Sequence, residues 1–230
     1  MAMSVNTNAG AMIVLQNLSK TNKGLETTQL RVTTGLKVNG PKDDAATFAI
    51  AQNMRGDIAG MTAVKSALAM GEATVNVAIS AGKAVSDLLI EMKTKVVQAN
   101  QAGLDTDSRD ALNNEFTSLR AQLDTVVLSA EFNGKNLITT GGSALAVLST
   151  IEGSTISVSA QDMSATALGA DLNTSVLTDA TGATTALSAI DSAIVAVSNS
   201  LASLDRGGDA QGPAQGCRSQ RFPVAHALSA

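Results

Sequence analysis

The sequence has few of the residues that usually build a catalytic centre or a deep globular core. Its 230 residues include no Trp, no Tyr, four Phe, one Cys and one His. A compact enzyme of this size would bury more aromatic side chains. Without them Leu, Ile, Val, Met and Ala must fill the core, which suits long, thin helical packing. We therefore expect an elongated, mainly α protein.

Reactive side chains are equally scarce. The one Cys, Cys217, excludes an internal disulfide framework and supports no metal site. His226 is close to it in sequence, but both fall in a stretch without helical or strand periodicity, where no scaffold would hold a reactive pair. The carboxylates are scattered along helix faces, and we interpret Glu115 and Asp124 as solvated charges. The sequence thus predicts a protein that is not an enzyme and has no metal or cofactor.

Charge and hydropathy argue against two further classes of protein. The net charge is −4, so no broad basic surface is available for nucleic acid or anionic lipid. No window approaches the roughly 18 consecutive apolar residues of a membrane span. The N-terminus lacks the cationic segment and apolar run of an ordinary signal peptide. We expect a soluble protein that, if it leaves the cell, does not use the general secretory route.

The N-terminal stretch from Ser4 to Leu36 has the spacing of a coiled-coil seam. Its inward positions alternate steps of four and three, which predicts a helix built to bind other helices. Asn22 and Gln29 are amides at seam positions, and a buried amide there typically fixes register and partner number. The alternative is an ordinary amphipathic helix of a bundle core. The seam positions are Ala11, Leu15, Leu18, Asn22, Leu25, Gln29, Val32 and Leu36.

Three more helices are predicted. Gly40-Pro41 indicates a turn, with Asp43 or Asp44 able to cap a helix from Ala45 to about Asn100, which is either one long helix or two joined end to end. The short polar connection after it predicts a third helix that folds back antiparallel. The third and fourth helices repeat the seam at Leu112, Phe116, Leu119, Leu123, Val126 and Ala130, and at Leu187, Ile190, Ile194, Val197, Leu201 and Leu204.

The remaining stretches are not helical in pattern. Runs at Ala144–Ser149 and Thr155–Ser159 predict a small β-hairpin, and Gln161–Thr178 is predicted to be an exposed loop. The predicted fold is an elongated antiparallel, coiled-coil-like helical bundle with a small β-hairpin region and an unpaired N-terminal helix. Its predicted parts are an assembly helix and turn (1–40), a bundle domain (41–204) with an insertion at about 137–178, and a disordered tail (205–230).

With the helices placed, a series of short motifs can be compared with known families. The chain opens with Ser4–Asn8, and further motifs are Asn17-Leu18, Thr21-Asn22, Gln29–Arg31, Thr34–Asn39, Lys42–Ala46, Ile50-Ala51, Met54-Arg55, Glu131–Leu137 and Asp162–Gly169. In content and order these motifs resemble those of the bacterial flagellins, in particular the short flagellins of alphaproteobacteria. The resemblance extends to about Leu204.

This resemblance implies a structural subunit of the flagellar filament, polymerised with copies of itself outside the cell. It implies export through the flagellar type III apparatus and, as further partners, a chaperone and the cap and junction proteins. Combined with the seam, it assigns subunit assembly to Asn6, Asn8, Leu15, Leu18, Asn22, Leu25, Gln29, Arg31, Val32, Leu36, Asp43, Asp44, Met54 and Arg55.

The C-terminal stretch departs from the family. A flagellin should continue past Leu204 into a second amphipathic helix, whereas Asp205–Ala230 loses the period and gains Cys, His, Pro and Arg. We interpret this stretch as translation in a shifted frame, which sequencing of the coding region would test. The N-terminal helix, whose usual partner is that C-terminal helix, is predicted to be poorly packed in the isolated chain.

Three alternative functions remain open from the sequence. A truncated flagellin that does not polymerise and a hook–filament junction protein would share the helical architecture. A secreted adhesin or binding module would instead use the Gln161–Thr178 loop for a ligand, although the lack of aromatics disfavours carbohydrate stacking there.

Overall fold

The computed structural model describes residues 8–169, 172 and 176–210, and it confirms a mainly helical protein with small antiparallel strand pairs. Asn6, Cys217 and His226 lie outside the described residues. The predicted domain boundary near residue 40 falls at the turn before the second helix, whereas the structure divides into two units within that helix, between Gly60 and Met61. The elements are α1 (Ala9–Thr34), α2 (Ala45–Ala99), α3 (Thr106–Ser129), β1 (Glu131–Phe132), β2 (Lys135–Asn136), β3 (Leu145–Leu148), β4 (Thr155–Val158), α4 (Ala165–Leu168) and α5 (Ala180–Asp209).

Helix α1 has a defined cap at each end. The Asn8 side chain accepts a hydrogen bond from the Ala11 amide at 3.2 Å. At the other end Gly35 adopts the left-handed conformation (φ 67°) and its amide bonds the Arg31 carbonyl at 2.8 Å, the usual way a glycine ends a helix. The predicted seam was therefore wrong at its last position, because Leu36 lies beyond the cap and is half-buried.

Helix α2 is a single helix of 55 residues, which decides between one helix and two. It contains no proline, so the hydrogen-bond ladder is not interrupted. The prediction that Asp43 or Asp44 caps it is confirmed for Asp44, whose carboxylate accepts from the amides of Ala46 and Thr47 at 3.0 and 3.2 Å. Asp43 instead closes the preceding turn by accepting from the Asn39 amide at 3.2 Å.

Helix α3 runs antiparallel to α2, as predicted. Lys95 in α2 forms an ion pair with Glu115 in α3 at 2.6 Å. Asn133, which follows α3, contacts Met70, an earlier residue of α2 near the start of the second unit. Later residues thus contact earlier positions of α2. Glu115 is thus paired across helices rather than only solvated. An exposed pair of this kind adds little stability, but it fixes which ends of the two helices meet.

Helix α5 also runs antiparallel to α2. Lys93 pairs with Asp191 at 2.6 Å, and Leu201 lies so close to Gly82 that a Cβ there would be 2.8 Å from the Leu201 methyl group. Close approach of the neighbouring helix therefore explains why this position of α2 is a glycine. At Gly56 a Cβ would meet nothing within 4 Å in the described chain, so that glycine has no such explanation here.

The larger of two hydrophobic clusters among the described residues joins α2, α3 and α5, and the smaller one holds Val64, Leu68 and Val147. Phe116 and Leu123 are buried at predicted seam positions, but at the next position Val127 is buried and Val126 only half-buried. A straight α-helix drifts from a strict seven-residue repeat, so the heptad prediction was wrong by one residue there. Large side chains that are fully buried are Leu68, Leu89, Met92, Phe116, Leu123, Leu137, Ile138, Met163, Leu172, Leu177, Ile190 and Leu204.

Two antiparallel strand pairs follow α3. The predicted hairpin is confirmed as β3 and β4, with Leu145 opposite Val158. Strands β1 and β2 form another hairpin, in which Asn133 (φ 49°) and Gly134 (φ 75°) connect the two strands. Two left-handed residues match the twist of a two-residue hairpin, which is why Asn-Gly is favoured there. Asn136 then bonds the Val127 carbonyl at 2.7 Å, satisfying the end of α3.

The prediction of an exposed loop at Gln161–Thr178 was wrong for the described part of that stretch. Backbone amides of Gln161 and Met163 bond the carbonyls of Leu137 and Ile138 at 2.7 and 2.9 Å, tying the segment to the chain after β2. Asp124 accepts from the Ala165 amide at 3.1 Å, so it too is not merely solvated. The buried side chains of the stretch are Met163, Ala165, Leu168, Leu172 and Leu177.

The predicted C-terminal tail, 205–230, was placed too early in the chain. Helix α5 continues to Asp209, five residues past Leu204, and these residues pack on the bundle. A Cβ at Gly207 would lie 2.7 Å from a Val158 methyl group, and one at Gly208 would lie 3.2 Å from Val75. The loss of apolar periodicity at Asp205 was therefore misread, because a glycine face can replace an apolar face where another element approaches closely. The rest of the predicted tail, 211–230, lies outside the described residues.

We expect Gly207→Ala to destabilise the second unit by about 1–2 kcal/mol, since crowding a packed core costs more than the helix propensity that alanine gains. The Cβ would press on the stiff, branched side chain of Val158. Chemical denaturation of Gly207→Ala, Val158→Ala and the double variant measures this. In the double variant the cost should be less than additive, and strict additivity would contradict the contact.

Candidate assembly surface

The α1 seam, defined as Ala11, Leu15, Leu18, Asn22, Leu25, Gln29 and Val32, is the candidate assembly surface. No described residue of α1 is buried. Leu15, Leu18, Leu25 and Val32 are 64, 55, 65 and 79% exposed. Their spacing places them on one face of the helix. The apolar stripe of α1 is therefore exposed in the described chain.

Threonines make the α1 surface less polar than its composition indicates. Five hydroxyls donate to the carbonyl four residues earlier in the same helix, at 2.7 to 2.9 Å. A hydroxyl bonded to its own helix needs no partner from outside, so α1 can be covered by an apolar surface without leaving these groups unsatisfied. The five residues are Thr21, Thr27, Thr28, Thr33 and Thr34.

The opposite face of α1 is different in character. At about 100° per residue, Lys20 and Arg31 lie on the side away from the seam, and the large apolar side chain of Ile13 lies there with them. Arg31 is thus exposed but does not belong to the apolar stripe. Sequence reasoning missed Val14, which is 66% exposed and lies at the edge of the seam. The signal was available, since a seam is flanked by neighbouring heptad positions.

The other predicted assembly residues have local roles or none that the structure defines. Asn8 caps α1, and Asp43 and Asp44 hold the turn and the start of α2. On α2, Met54 is half-buried and Arg55 is exposed. The structure thus brings the seam residues together on one helix face, and it does not gather these residues into the same stripe.

The Asp44 carboxyl should titrate below the usual range. The Thr47 hydroxyl donates to it at 2.6 Å, and this bond, with backbone amides, lowers the pKa of Asp44 below its ordinary 3.8. Because the folded-state pKa is lowered, the stabilisation is present above 3.8 and is lost as the pH falls through the lowered pKa.

We expect NMR titration of Asp44 to give a pKa below 3.8. Thr47→Val, which removes the hydroxyl, should raise that pKa, and Thr47→Ser, which keeps it, should not. An unchanged pKa in Thr47→Val would contradict the assigned cause.

Among the described residues, no three His, Cys, Asp or Glu side chains come together as a metal-ligand group. Two helices, Ala45–Ala99 and Ala180–Asp209, contain windows with mean hydropathy of 1.3 and 1.4, enough by length and composition to cross a membrane. Both helices supply side chains to the bundle core, and helices of a soluble core pass the same test, so this observation is weak evidence for a span.

Comparisons with known proteins agree on one family. Residues 5–142 match the model for the bacterial flagellin N-terminal helical region. Flagellin FljK of Caulobacter vibrioides is 41% identical over 201 residues, which cover 87% of this chain and 73% of that protein. Flagellin C of Rhizobium meliloti is 40% identical over 141 residues, covering 61% of this chain and 43% of that protein.

Solved structures share the fold at lower identity. The Bacillus cereus flagellin structure superposes with a TM-score of 0.53 at 21% identity, covering 72% of this chain and 90% of that one. A flagellar hook-associated protein of Vibrio parahaemolyticus gives 0.67 at 15% identity, covering 83 and 99%. The sequence matches, together with a helix that exposes an apolar seam, lead to one conclusion: the chain belongs to the bacterial flagellin family and is a structural subunit of the flagellar filament.

Proposed function

We propose that this subunit enters the filament through the α1 seam, which becomes buried against helices of neighbouring copies. The observation that carries the proposal is the exposure of four large aliphatic side chains on one face of α1, from 55 to 79%. Covering such a stripe removes apolar surface from water, at about 25 cal/mol per Å². A capped helix of 26 residues offers that surface already formed.

The amides of Asn22 and Gln29 act as register contacts in this proposal. Both are exposed at seam positions between aliphatic residues. An amide buried in a helix interface is satisfied only when a partner amide or carbonyl lies opposite, so it disfavours shifted alignments. The aliphatic positions would then supply affinity, and the two amides would supply alignment.

Asn8, Asp43 and Asp44 support assembly indirectly, by holding α1 and the start of α2 in their helical form. Arg31, Met54, Arg55 and the half-buried Leu36 would contact neighbouring copies outside the seam. Asn6 lies outside the described residues, and only the flagellin resemblance supports a role for it in assembly.

Membership of the flagellin family supports a proposal for export and location. We propose that the chain is exported by the flagellar type III apparatus with a chaperone, and that it is incorporated beneath the cap and next to junction proteins, in the extracellular filament. The α1 helix suits that route, since an exposed helix with no buried side chain loses no core packing when it unfolds.

Electron microscopy of the purified chain under polymerising conditions tests the proposed function. Long filaments would support it, and persistent monomer would favour a truncated flagellin that does not polymerise. A flagellar hook-associated protein shares the helical fold at 15% identity, whereas the 41% identity to a flagellin favours the filament subunit over the hook–filament junction alternative.

A further inference from the structure

An exposed methionine of the second unit, Met70, has an unusual hydrogen-bond partner. The side-chain amide of Asn133 donates to the thioether sulfur of Met70, with Nδ2 and Sδ separated by 3.4 Å. A thioether is a weak acceptor, so the contact holds the hairpin turn against α2 only loosely. Met70 is 49% exposed, which leaves its side chain open to small solutes.

The other methionines of the second unit are less accessible. Met92 and Met163 are fully buried in the core, and Met61 is half-buried. Oxidation of a thioether follows the exposure of its sulfur, and a sulfoxide in an apolar core would leave a polar oxygen without a donor. Met70 differs from Met92 and Met163 in both respects, because it is exposed and already faces a donor.

We propose that Met70 is a reversible oxidation site whose sulfoxide is held by the Asn133 amide. The oxidant is a peroxide: the sulfur lone pair attacks one peroxide oxygen, the O–O bond breaks and an S–O bond forms. The sulfur is oxidised by two electrons, and the second oxygen of hydrogen peroxide leaves as water. The product oxygen is a stronger acceptor than the sulfur it is bonded to.

The geometry accommodates the added oxygen. The Met side chain has three rotatable bonds and can withdraw its sulfur while the new oxygen takes the hydrogen bond. The backbone of Asn133 is held by the β1–β2 hairpin, because Asn133 is the first residue of its turn, with φ 49°. Oxidation at Met70 therefore tightens the contact between α2 and the β1–β2 hairpin instead of disrupting the core.

Limited hydrogen peroxide treatment of the full chain, followed by peptide mass spectrometry, tests the site. Sulfoxide at Met70 should form at least tenfold faster than at Met92 and Met163, and methionine sulfoxide reductases should reverse it. Equal rates at the three residues would overturn the proposal. Met12, which is 69% exposed on α1, serves as the reference for a fully accessible methionine.

The role of Asn133 needs a separate measurement. In ¹⁵N-labelled protein the Asn133 side-chain amide signal should shift downfield when Met70 is oxidised, and Met70→Leu should abolish that shift. Asn133→Gly keeps a residue suited to positive φ and removes the donor, so oxidation should then no longer increase hydrogen-exchange protection of the turn. An unshifted Asn133 signal in fully oxidised protein would overturn the assignment of the donor.

Discussion

Leu18→Asp is expected to abolish filament growth while leaving the unfolding of the monomer unchanged. Leu18 is 55% exposed at the centre of the α1 seam and contributes to no buried cluster of the described chain. In the proposed filament the same side chain is covered. Losing a buried leucine costs about 1.5–3 kcal/mol, and burying an unpaired carboxylate costs more. The critical concentration for assembly should therefore rise by more than about a hundredfold.

Ile13→Asp is the matched control for this prediction. Ile13 lies on the same helix with nearly the same exposure, 58%, but on the face away from the seam. The Ile13→Asp substitution introduces the same charge as Leu18→Asp and removes nearly the same apolar surface. Sedimentation and electron microscopy of both variants under polymerising conditions give the comparison. Equal loss of assembly in the two would show that α1 needs only to be apolar all round, and it would contradict the seam.

Phe116→Ala is expected to destabilise the second unit by about 3–5 kcal/mol, the usual cost of deleting a buried aromatic side chain. Phe116 is fully buried, and it is the largest of the fully buried side chains in the described chain. With aromatics absent from the rest of this core, the surrounding aliphatic side chains would have to collapse into a large cavity. Most of the stability of a small domain would be lost.

Phe132→Ala provides the comparison, since it deletes the same side chain at a position that is 36% exposed in the β1–β2 hairpin. Its cost should stay below about 1 kcal/mol, as for other partly exposed sites. Urea denaturation followed by circular dichroism measures both. Similar losses of unfolding free energy in the two variants would contradict the central place of Phe116 in the core.

The two pairs of variants separate assembly from folding. The seam substitution should change polymerisation and not the unfolding free energy, and the core substitution should change the unfolding free energy directly. A change in both properties for Leu18→Asp would contradict the assignment of this exposed side chain to assembly alone.

Much of the helical architecture could be predicted because it depends on contacts between near neighbours in sequence. The period of Leu15, Leu18 and Leu25 predicts α1, Gly35 ends it, and Asp44 starts α2 through its own side chain. Asn133-Gly134 likewise encodes its turn locally. The apolar face of α1 was also predicted from spacing, and its large aliphatic side chains are exposed in the described chain.

The contacts that could not be predicted join residues that are far apart in sequence. Asp124 accepts from Ala165, Gly207 fits against Val158, and Asn133 reaches Met70. None of these residues has a local pattern that reveals its partner. For the same reason Met163 and Leu168, in a stretch with the composition of a loop, are buried: their burial depends on the elements packed over them. The helices and their apolar faces could be predicted because local geometry encodes them, whereas the faces that became covered depended on packing between distant segments.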